Sequence, residues 1–305
     1  MTTRPLVLKA AKLPDEIASA LSASLDVVAL PEDDAEIAAM LDTYGPRIRG
    51  LAVRKRQIRA DLLDRLPALE IVASYSAGLE NIDTDHCRES GITVTNTSHI
   101  LAEEVANLTV MHCLAVTRQL VRAHEFVRSE AWTRGQFPLT HSLSGMEVGI
   151  IGLGHIGQAI ARRLEVMGAR VSYYGPRKKP VELPYFDSPE ALAEATQMLV
   201  ASCPLSDATR GLVGREVIAA LGPEGYLVNI SRGPIVDESA LIEALGAGRL
   251  AGAALDVFEN EPHVPEALRT HPAVILTPHI GSGTEETRRQ MGLSMVQSLK
   301  DALGA

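Results

Sequence analysis

The chain has 305 residues, of which 46% are apolar and 22% charged, ordinary values for a globular protein and enough residues for two cores. A net charge of −9 argues against nucleic acid or an anionic membrane as a partner, and no uninterrupted apolar run reaches the roughly 18 residues of a membrane span. The start, MTTRPLVLKA, lacks a signal-peptide pattern, and the odd cysteine set (Cys87, Cys113, Cys203) has neither disulfide nor zinc spacing, so a cytoplasmic protein without structural metal is expected.

In chain order, short β-rich runs alternate with helical stretches over the first hundred residues. PLVLKA, DVVAL, GLAVR, LEIVASY and GITVTN read as strands; DEIASALSAS, EDDAEIAAMLDTY and ADLLDRLP read as helices between them. Such alternation implies parallel sheet built from crossover units. A long helical pattern then runs from about Ile100 to Val127 with few breakers, which suits one helix bridging two domains.

A second alternating series begins at Met146: MEVGIIG, ARVSYYG, MLVASC, GYLVNIS, GAALDV and AVILTP. Six strands with intervening helices match a doubly wound dinucleotide-binding sheet. The segment EETRRQMGLSMVQSLKDALG reads as one further helix, expected to cross back and cover an open face of the first sheet. The predicted fold is therefore α/β with two doubly wound domains. One is a flavodoxin-like substrate domain (1–99 plus 285–305) and the other a Rossmann domain (100–284), with the active site in the cleft between them.

Within the second series, Gly152, Gly154 and Gly157 of "GLGHIG" follow an apolar strand and open an amphipathic helix. The first glycine suits a tight turn, the second a close approach of backbone to pyrophosphate, and the third close helix–strand packing. The helix N-terminal amides then face phosphate charge. His155 and Ile156 lie inside this motif, with His155 expected on phosphate or solvent. The next strand ends in "VSYYGPRKK", where dinucleotide folds commonly carry an acid for the ribose hydroxyl. Here Gly175 takes that place, followed by Arg177, Lys178 and Lys179. An acid would repel a 2′-phosphate, whereas Arg177 offers bidentate donors and Lys178 a point charge, so NADP (as NADPH) is expected over NAD. The alternative is a solvated basic turn.

Three later stretches place polar groups beyond successive strand ends, where open α/β sheets bind ligands. "VNISRGPIVDESAL" carries Arg232, "ALDVFENEP" carries Asp256 and Glu261, and "TPHIGSGT" carries His279. Alone, each reads equally as a structural or solvated residue; together, downstream of a glycine loop, they point to a site.

Over nearly its whole length the chain resembles the D-isomer-specific 2-hydroxyacid dehydrogenases, through "VGIIGLGHIG", "NISRG", "ALDVFENEP" and "TPHIG" in the family's order. The Gly175–Lys179 loop and "YSAGLENID" resemble the glyoxylate/hydroxypyruvate and hydroxyphenylpyruvate reductase branch. The resemblance implies that His279 is the acid–base and that Glu261 orients it and favours its charged form. It implies that Arg232 binds the substrate carboxylate and polarises the 2-oxo carbonyl, and that Asp256 holds the nicotinamide carboxamide. By the same resemblance Cys203, Pro204, Thr209, Ile230 and Ser231 contact the cofactor, and Gly281 and Ser282 turn close to the nicotinamide.

The substrate domain supplies the other candidates. Ser76, Ala77 and Gly78 follow a strand, and their backbone amides could form a nest for the substrate carboxylate, an ordinary tight turn being the alternative. Val53, Arg54 and Lys55 follow the preceding strand; Arg54 is the candidate determinant of substrate choice. Asn107 of "AEEVANLTV" stands where the family often has an acid or amide. Trp132 and Phe137 of "AWTRGQFPL" are expected as exposed aromatics beside a proline and resemble the family's subunit contact, which implies a homodimer; packing within one chain is the alternative.

The function expected is NADPH-preferring reduction of small 2-oxo acids such as glyoxylate and hydroxypyruvate to D-2-hydroxy acids. An aromatic 2-oxo acid reductase acting on 4-hydroxyphenylpyruvate is the alternative within the class. A non-catalytic, nucleotide-sensing corepressor of the same fold is the alternative outside it.

Overall fold

A computed structural model describes residues 4–305. Its first elements are β1 (Leu6–Ala10), α1 (Asp15–Ser24), β2 (Asp26–Ala29), α2 (Asp34–Tyr44), β3 (Ile48–Val53), α3 (Ala60–Leu63), β4 (Ile71–Ser74), α4 (Thr84–Glu89) and β5 (Thr93–Thr95). They are followed by α5 (Ser98–Thr117), α6 (Leu120–Arg128), β6 (Glu147–Ile151), α7 (His155–Val166), β7 (Arg170–Tyr174), β8 (Tyr185–Phe186), α8 (Pro189–Glu194) and β9 (Met198–Ala201). The chain continues through α9 (Arg215–Leu221), β10 (Tyr226–Asn229), α10 (Glu238–Gly246), β11 (Gly252–Leu255), α11 (Glu266–Arg269), β12 (Val274–Leu276) and α12 (Glu285–Leu303). Two compact units result: one extends to Leu101 and resumes over Thr284–Ala305, and the other is Ala102–Gly283.

The first unit holds a five-stranded parallel sheet in the order β2-β1-β3-β4-β5, the flavodoxin-like order. Every residue of β4 is buried, as expected of a parallel sheet covered on both faces. Side-chain caps start the helices: the Asp33 carboxylate accepts from the Ala35 and Glu36 amides, and Asp83 accepts from His86 N–H. On one face Leu8, Leu51, Val53 and Val72 pack with Leu41, Ile58 and Leu63. The other face is covered by α1 and α12. Gly50 in mid-strand is explained here, since a Cβ would lie 3.0 Å from Leu299 and Leu303 of α12. Likewise a Cβ on Gly292 would stand 2.6 Å from Ile17. Truncating fully buried Leu299 to Ala should cost about 2–5 kcal/mol.

The second unit holds a seven-stranded parallel sheet, β12-β11-β10-β9-β6-β7-β8. The strand β8, only two residues long, is additional to the six expected; two residues carry no readable alternation. The long helix expected from 100 to 127 is instead two helices, because Gln119 takes a left-handed conformation (φ +50°) between α5 and α6 with no glycine or proline to announce it. By length and composition α5 could cross a bilayer, but 56% of its most apolar window is buried within the chain, the mark of a core helix.

Candidate active site

The second sheet changes direction at β6. The chain runs from β6 outward to β7 and β8, then returns to place β9 on the other side of β6. Ligands of open α/β sheets bind outside the strand ends at such a switch point. There Gly152 has φ +94°, and a Cβ on it would be 2.7 Å from the Cys203 Cα at the end of β9. A Cβ on Gly157 would fall 2.1 Å from the Gly152 carbonyl oxygen. Both positions therefore require glycine for the loop to close on itself. Gly154 is different: nothing stands within 4 Å of where its Cβ would be, so this side of the loop, at the exposed start of α7, is open. His155 is exposed and Ile156 half-buried. The Ser202 hydroxyl donates to the Gly152 carbonyl at 2.6 Å, tying the two strand ends together. Cys203 is buried, which pushes its thiol up to about 11 and keeps it a neutral packing group. Pro204 is exposed, and the Thr209 hydroxyl donates to the Pro204 carbonyl at 2.7 Å, closing the loop after β9 on itself.

The turn after β7 is open in another sense. Nothing lies within 4 Å of a Cβ on Gly175, and Arg177 and Lys178 are exposed, without a hydrogen bond or ion pair among the described residues. The turn still has a support. The Lys179 amide donates to the hydroxyl of buried Tyr173 at 2.8 Å, and the Tyr185 hydroxyl donates to the Gly175 carbonyl at 3.2 Å.

The other side of the switch point carries the titratable groups. After β10, buried Asn229 accepts both the amide (3.1 Å) and hydroxyl (2.8 Å) of Ser231 through Oδ1. Its Nδ2 donates to the Arg232 carbonyl at 3.0 Å. Asn96 and Ser98 repeat the first two of these bonds after β5. Ile230 and Ser231 are buried, and Arg232 is half-buried. The next residue, Gly233, admits no side chain: a Cβ would lie 2.0 Å from the Phe258 carbonyl group. The Arg232 loop is thereby pressed, backbone to backbone, on the segment that carries Glu261.

Glu261 and His279 meet. Glu261 Oε1 accepts from the Phe258 amide at 3.2 Å, and Oε2 lies 2.7 Å from His279 Nδ1. A carboxylate only accepts, so the proton sits on Nδ1 and Nε2 is the free end of a ring whose side chain is 47% exposed. His279 itself has φ +54°, a conformation costly for a residue with a β-carbon. Asp256, 1% exposed, holds that backbone in place. Its Oδ1 accepts from the Ile280 amide (2.9 Å) and the Thr277 hydroxyl (2.6 Å), its Oδ2 accepts from the Gly281 amide (2.9 Å), and its carbonyl accepts from the His279 amide (2.9 Å). Gly281 is buried and Ser282 half-buried at the end of this turn.

In the first unit, Val53 is buried and Arg54 half-buried, with its guanidinium 5.3 Å above the Tyr75 ring. The Tyr75 hydroxyl donates to the Arg288 carbonyl at 2.7 Å. Burial, and then the nearby Arg54 charge, hold the Arg288 guanidinium below its ordinary value. Ser76, Ala77 and Gly78 form a half-buried turn whose carbonyls accept from the Thr97 amide (Ser76, 3.1 Å) and from Asn96 Nδ2 (Ala77, 3.1 Å). The Ser76 amide is already engaged by Ser74 Oγ at 3.2 Å, so an anion nest here rests on the amides of Ala77 and Gly78.

One surface expectation is corrected. Trp132 is 65% exposed, but Phe137 is half-buried because its ring packs edge-on against Phe126 at 5.4 Å. The other strongly exposed apolar residue of this stretch is Leu139, at 99%. Sequence reasoning also passed over Ser202, Asn229, Thr277 and His112. Ser202, Asn229 and Thr277 directly follow or end strands, a signal that was readable; His112 carries none, since its partner comes from a remote element.

A doubly wound parallel sheet with a glycine loop at its switch point and a carboxylate–imidazole pair at neighbouring strand ends defines a dinucleotide-binding α/β protein. Residues 110–281 match the family described as D-isomer specific 2-hydroxyacid dehydrogenase, NAD binding domain. A glyoxylate/hydroxypyruvate reductase of Arabidopsis thaliana is 48% identical over 268 residues, 87% of this chain and 85% of that protein. A hydroxyphenylpyruvate reductase of Plectranthus scutellarioides is 49% identical over 242 residues, 79% of this chain and 77% of that protein. Among solved structures, the NADPH-dependent glyoxylate/hydroxypyruvate reductase of Sinorhizobium meliloti in complex with NADP and malonate superposes with a TM-score of 0.87 at 39% identity, covering 98% of this chain and 93% of that one. The chain belongs to the D-isomer specific 2-hydroxyacid dehydrogenase family.

Proposed function

We propose that the protein is an NADPH-preferring reductase of small 2-oxo acids, glyoxylate and hydroxypyruvate among them, that forms D-2-hydroxy acids. The observation that carries the reading is the His279–Glu261 pair, which leaves Nε2 free on a turn at a strand end of a dinucleotide-type sheet.

The residues fit the cofactor. Gly152 and Gly157 close the loop, the open side at Gly154 admits the pyrophosphate beside the α7 amides, and Ile156, Cys203, Pro204, Thr209 and Ile230 border the same strand ends. Gly175 leaves room where an acid would repel a 2′-phosphate, while Arg177 and Lys178 supply uncommitted cations. The S. meliloti reductase, described as NADPH-dependent, supports this choice. When bound, the nicotinamide supplies a hydride to the carbonyl carbon.

The chain's own residues do the rest. His279 delivers a proton from Nε2 to the substrate's carbonyl oxygen, while Glu261 holds Nδ1–H and stabilises the imidazolium. Arg232 binds the carboxylate and polarises the carbonyl. Three donors occupy the Asp256 carboxylate, which leaves an acceptor position for the nicotinamide carboxamide. In the first unit, the amides of Ala77 and Gly78 form the carboxylate nest and Arg54 bears on substrate choice.

The test is a panel of 2-oxo acids with NADPH and NADH, followed by cofactor oxidation. Turnover of glyoxylate or hydroxypyruvate with NADPH is expected; none with any acid would return the protein to a binding role. A 4-hydroxyphenylpyruvate reductase is the second reading, favoured by the 49% identity to the P. scutellarioides enzyme. We further propose a homodimer through the face bearing exposed Trp132 and Leu139, with no buried residue on neighbouring α6. A monomeric mass by light scattering at micromolar concentration would reject it.

A further inference from the structure

The catalytic reading makes no use of His112, although it is the most buried histidine near the site. It lies on α5 with no exposure, and its Nε2 is 3.0 Å from the Thr277 hydroxyl oxygen. That hydroxyl has one proton and directs it to Asp256 Oδ1 at 2.6 Å. It must therefore accept from His112, which fixes the imidazole as the Nε2–H tautomer. His112 Nδ1 has no partner among the described residues, so a second proton there would be a buried donor without an acceptor. Burial pulls His112 below the ordinary histidine value, against a smaller upward pull from Asp256, consistent with a neutral ring.

The chain of bonds continues beyond Asp256. The carboxylate binds the amides of Ile280 and Gly281, the two residues that follow His279, and His279 sits at φ +54°. A carboxylate free to rotate about its side-chain torsions would release one or both amides and let that turn relax. Three donors limit rotation: those two amides and the Thr277 hydroxyl. His112 in turn determines which way the hydroxyl points. With His112 donating, its proton has a single direction, toward Asp256.

We propose that His112 and Thr277 are positioning residues, a buried relay that orients the Asp256 carboxylate and through it the turn presenting His279. The inference deepens the proposed function and rests on His279 being the acid–base. Neither residue touches the substrate. Loss of the relay lowers turnover more than cofactor or substrate affinity, because His279 Nε2 is displaced while, of the cofactor contacts, only that of the carboxamide with Asp256 is disturbed and the glycine loop is not.

Four variants of the full-length protein test this, with NADPH and hydroxypyruvate, and kcat expressed per titrated NADPH-binding site. His112→Leu is expected to lose about tenfold in kcat, the size of one hydrogen bond's net contribution, with KM within about twofold and the NADPH Kd rising by clearly less than kcat falls. Thr277→Val should lose as much, and the double variant no more than either, since both break one chain. His112→Gln, which keeps a donor near the Nε2 position, should restore most of the turnover. Imidazole nitrogen NMR of the wild type should show His112 as the neutral Nε2–H tautomer, a readout independent of turnover. Unchanged kcat in His112→Leu, additive losses, no recovery with Gln, or an Nδ1–H tautomer would each overturn the relay. Should Leu not fold at 112, Thr277→Val decides on the same criteria. His279→Gln in the same panel separates the two claims. If it retains turnover, the acid–base reading has failed; if it is inactive while His112→Leu is normal, only the relay has.

Discussion

Two turns leave the same sheet at strand ends, and they are built in opposite ways. The turn after β12 carries His279 in a left-handed conformation, and buried Asp256 holds four of its groups, three through its carboxylate and one through its carbonyl. The turn after β7 carries Gly175 and Arg177 with open space around both and only tyrosine hydroxyl contacts beneath. The first must place one nitrogen to within a fraction of an ångström, which calls for rigid support. The second, on the proposed function, would recognise a phosphate, a large diffuse anion that long cationic side chains can reach from several positions. Rigidity is concentrated where geometry limits rate, and freedom where charge suffices.

The sharpest way to break this contrast is at its rigid end. His279→Gln should lose about 10²–10⁴-fold in kcat, the range of a general acid, with the NADPH Kd unchanged. Near-normal turnover would show that the held turn has no chemical role. Next comes Gly233→Ala, whose methyl group would meet the Phe258 carbonyl at 2.0 Å. Because both sides of that contact are backbone, a loss of about 1–3 kcal/mol or more is expected, read as a fall in Tm with lowered activity. An unchanged Tm would mean that the Arg232 loop yields.

The open end should respond more mildly. Arg177→Ala should raise the NADPH KM about tenfold, the worth of one charge-assisted hydrogen bond, and leave the NADH KM as it was. Gly175→Asp, which has room for its side chain, should erode the preference further without lowering Tm. Equal losses with both cofactors would reassign the loop to general folding. The smallest effect expected concerns pH. His112 titrates below the ordinary value of 6.5 in the fold, because burial outweighs the nearby Asp256 charge. The unfolded chain therefore binds more protons just below that pH, and stability should rise with pH across the window and fall on acidification. Between about pH 7.5 and 5.5 the Tm of His112→Leu should drop less than that of wild type, by a degree or two. Parallel curves would mean that His112 makes no contribution.

Much of the fold was readable because buried parallel strands are continuous apolar runs: MEVGIIG, MLVASC and GYLVNIS stand out in any window. What escaped lacked that signal. The strand at Tyr185–Phe186 is two residues long, and the break at Gln119 depends on a conformation that glutamine does not advertise. For the site, Arg232, Glu261 and His279 could be picked out because they follow strands. The pairing of Glu261 with His279 was implied by the family resemblance alone; no spacing shows the 2.7 Å contact, which depends on the register of β11 and β12. His112 was invisible for a physical reason: one histidine on an apolar helix reads as core, and here its partner lies 165 positions away.

The helix α12 has a consequence for synthesis. Leu299 and Leu303 seal the sheet that begins at Leu6, yet a ribosome makes them only after every residue of Ala102–Gly283. A nascent chain emerging N-terminus first thus exposes an unsealed apolar face while the following unit has already had time to collapse. For most of its translation the first sheet therefore lacks the cover of α12.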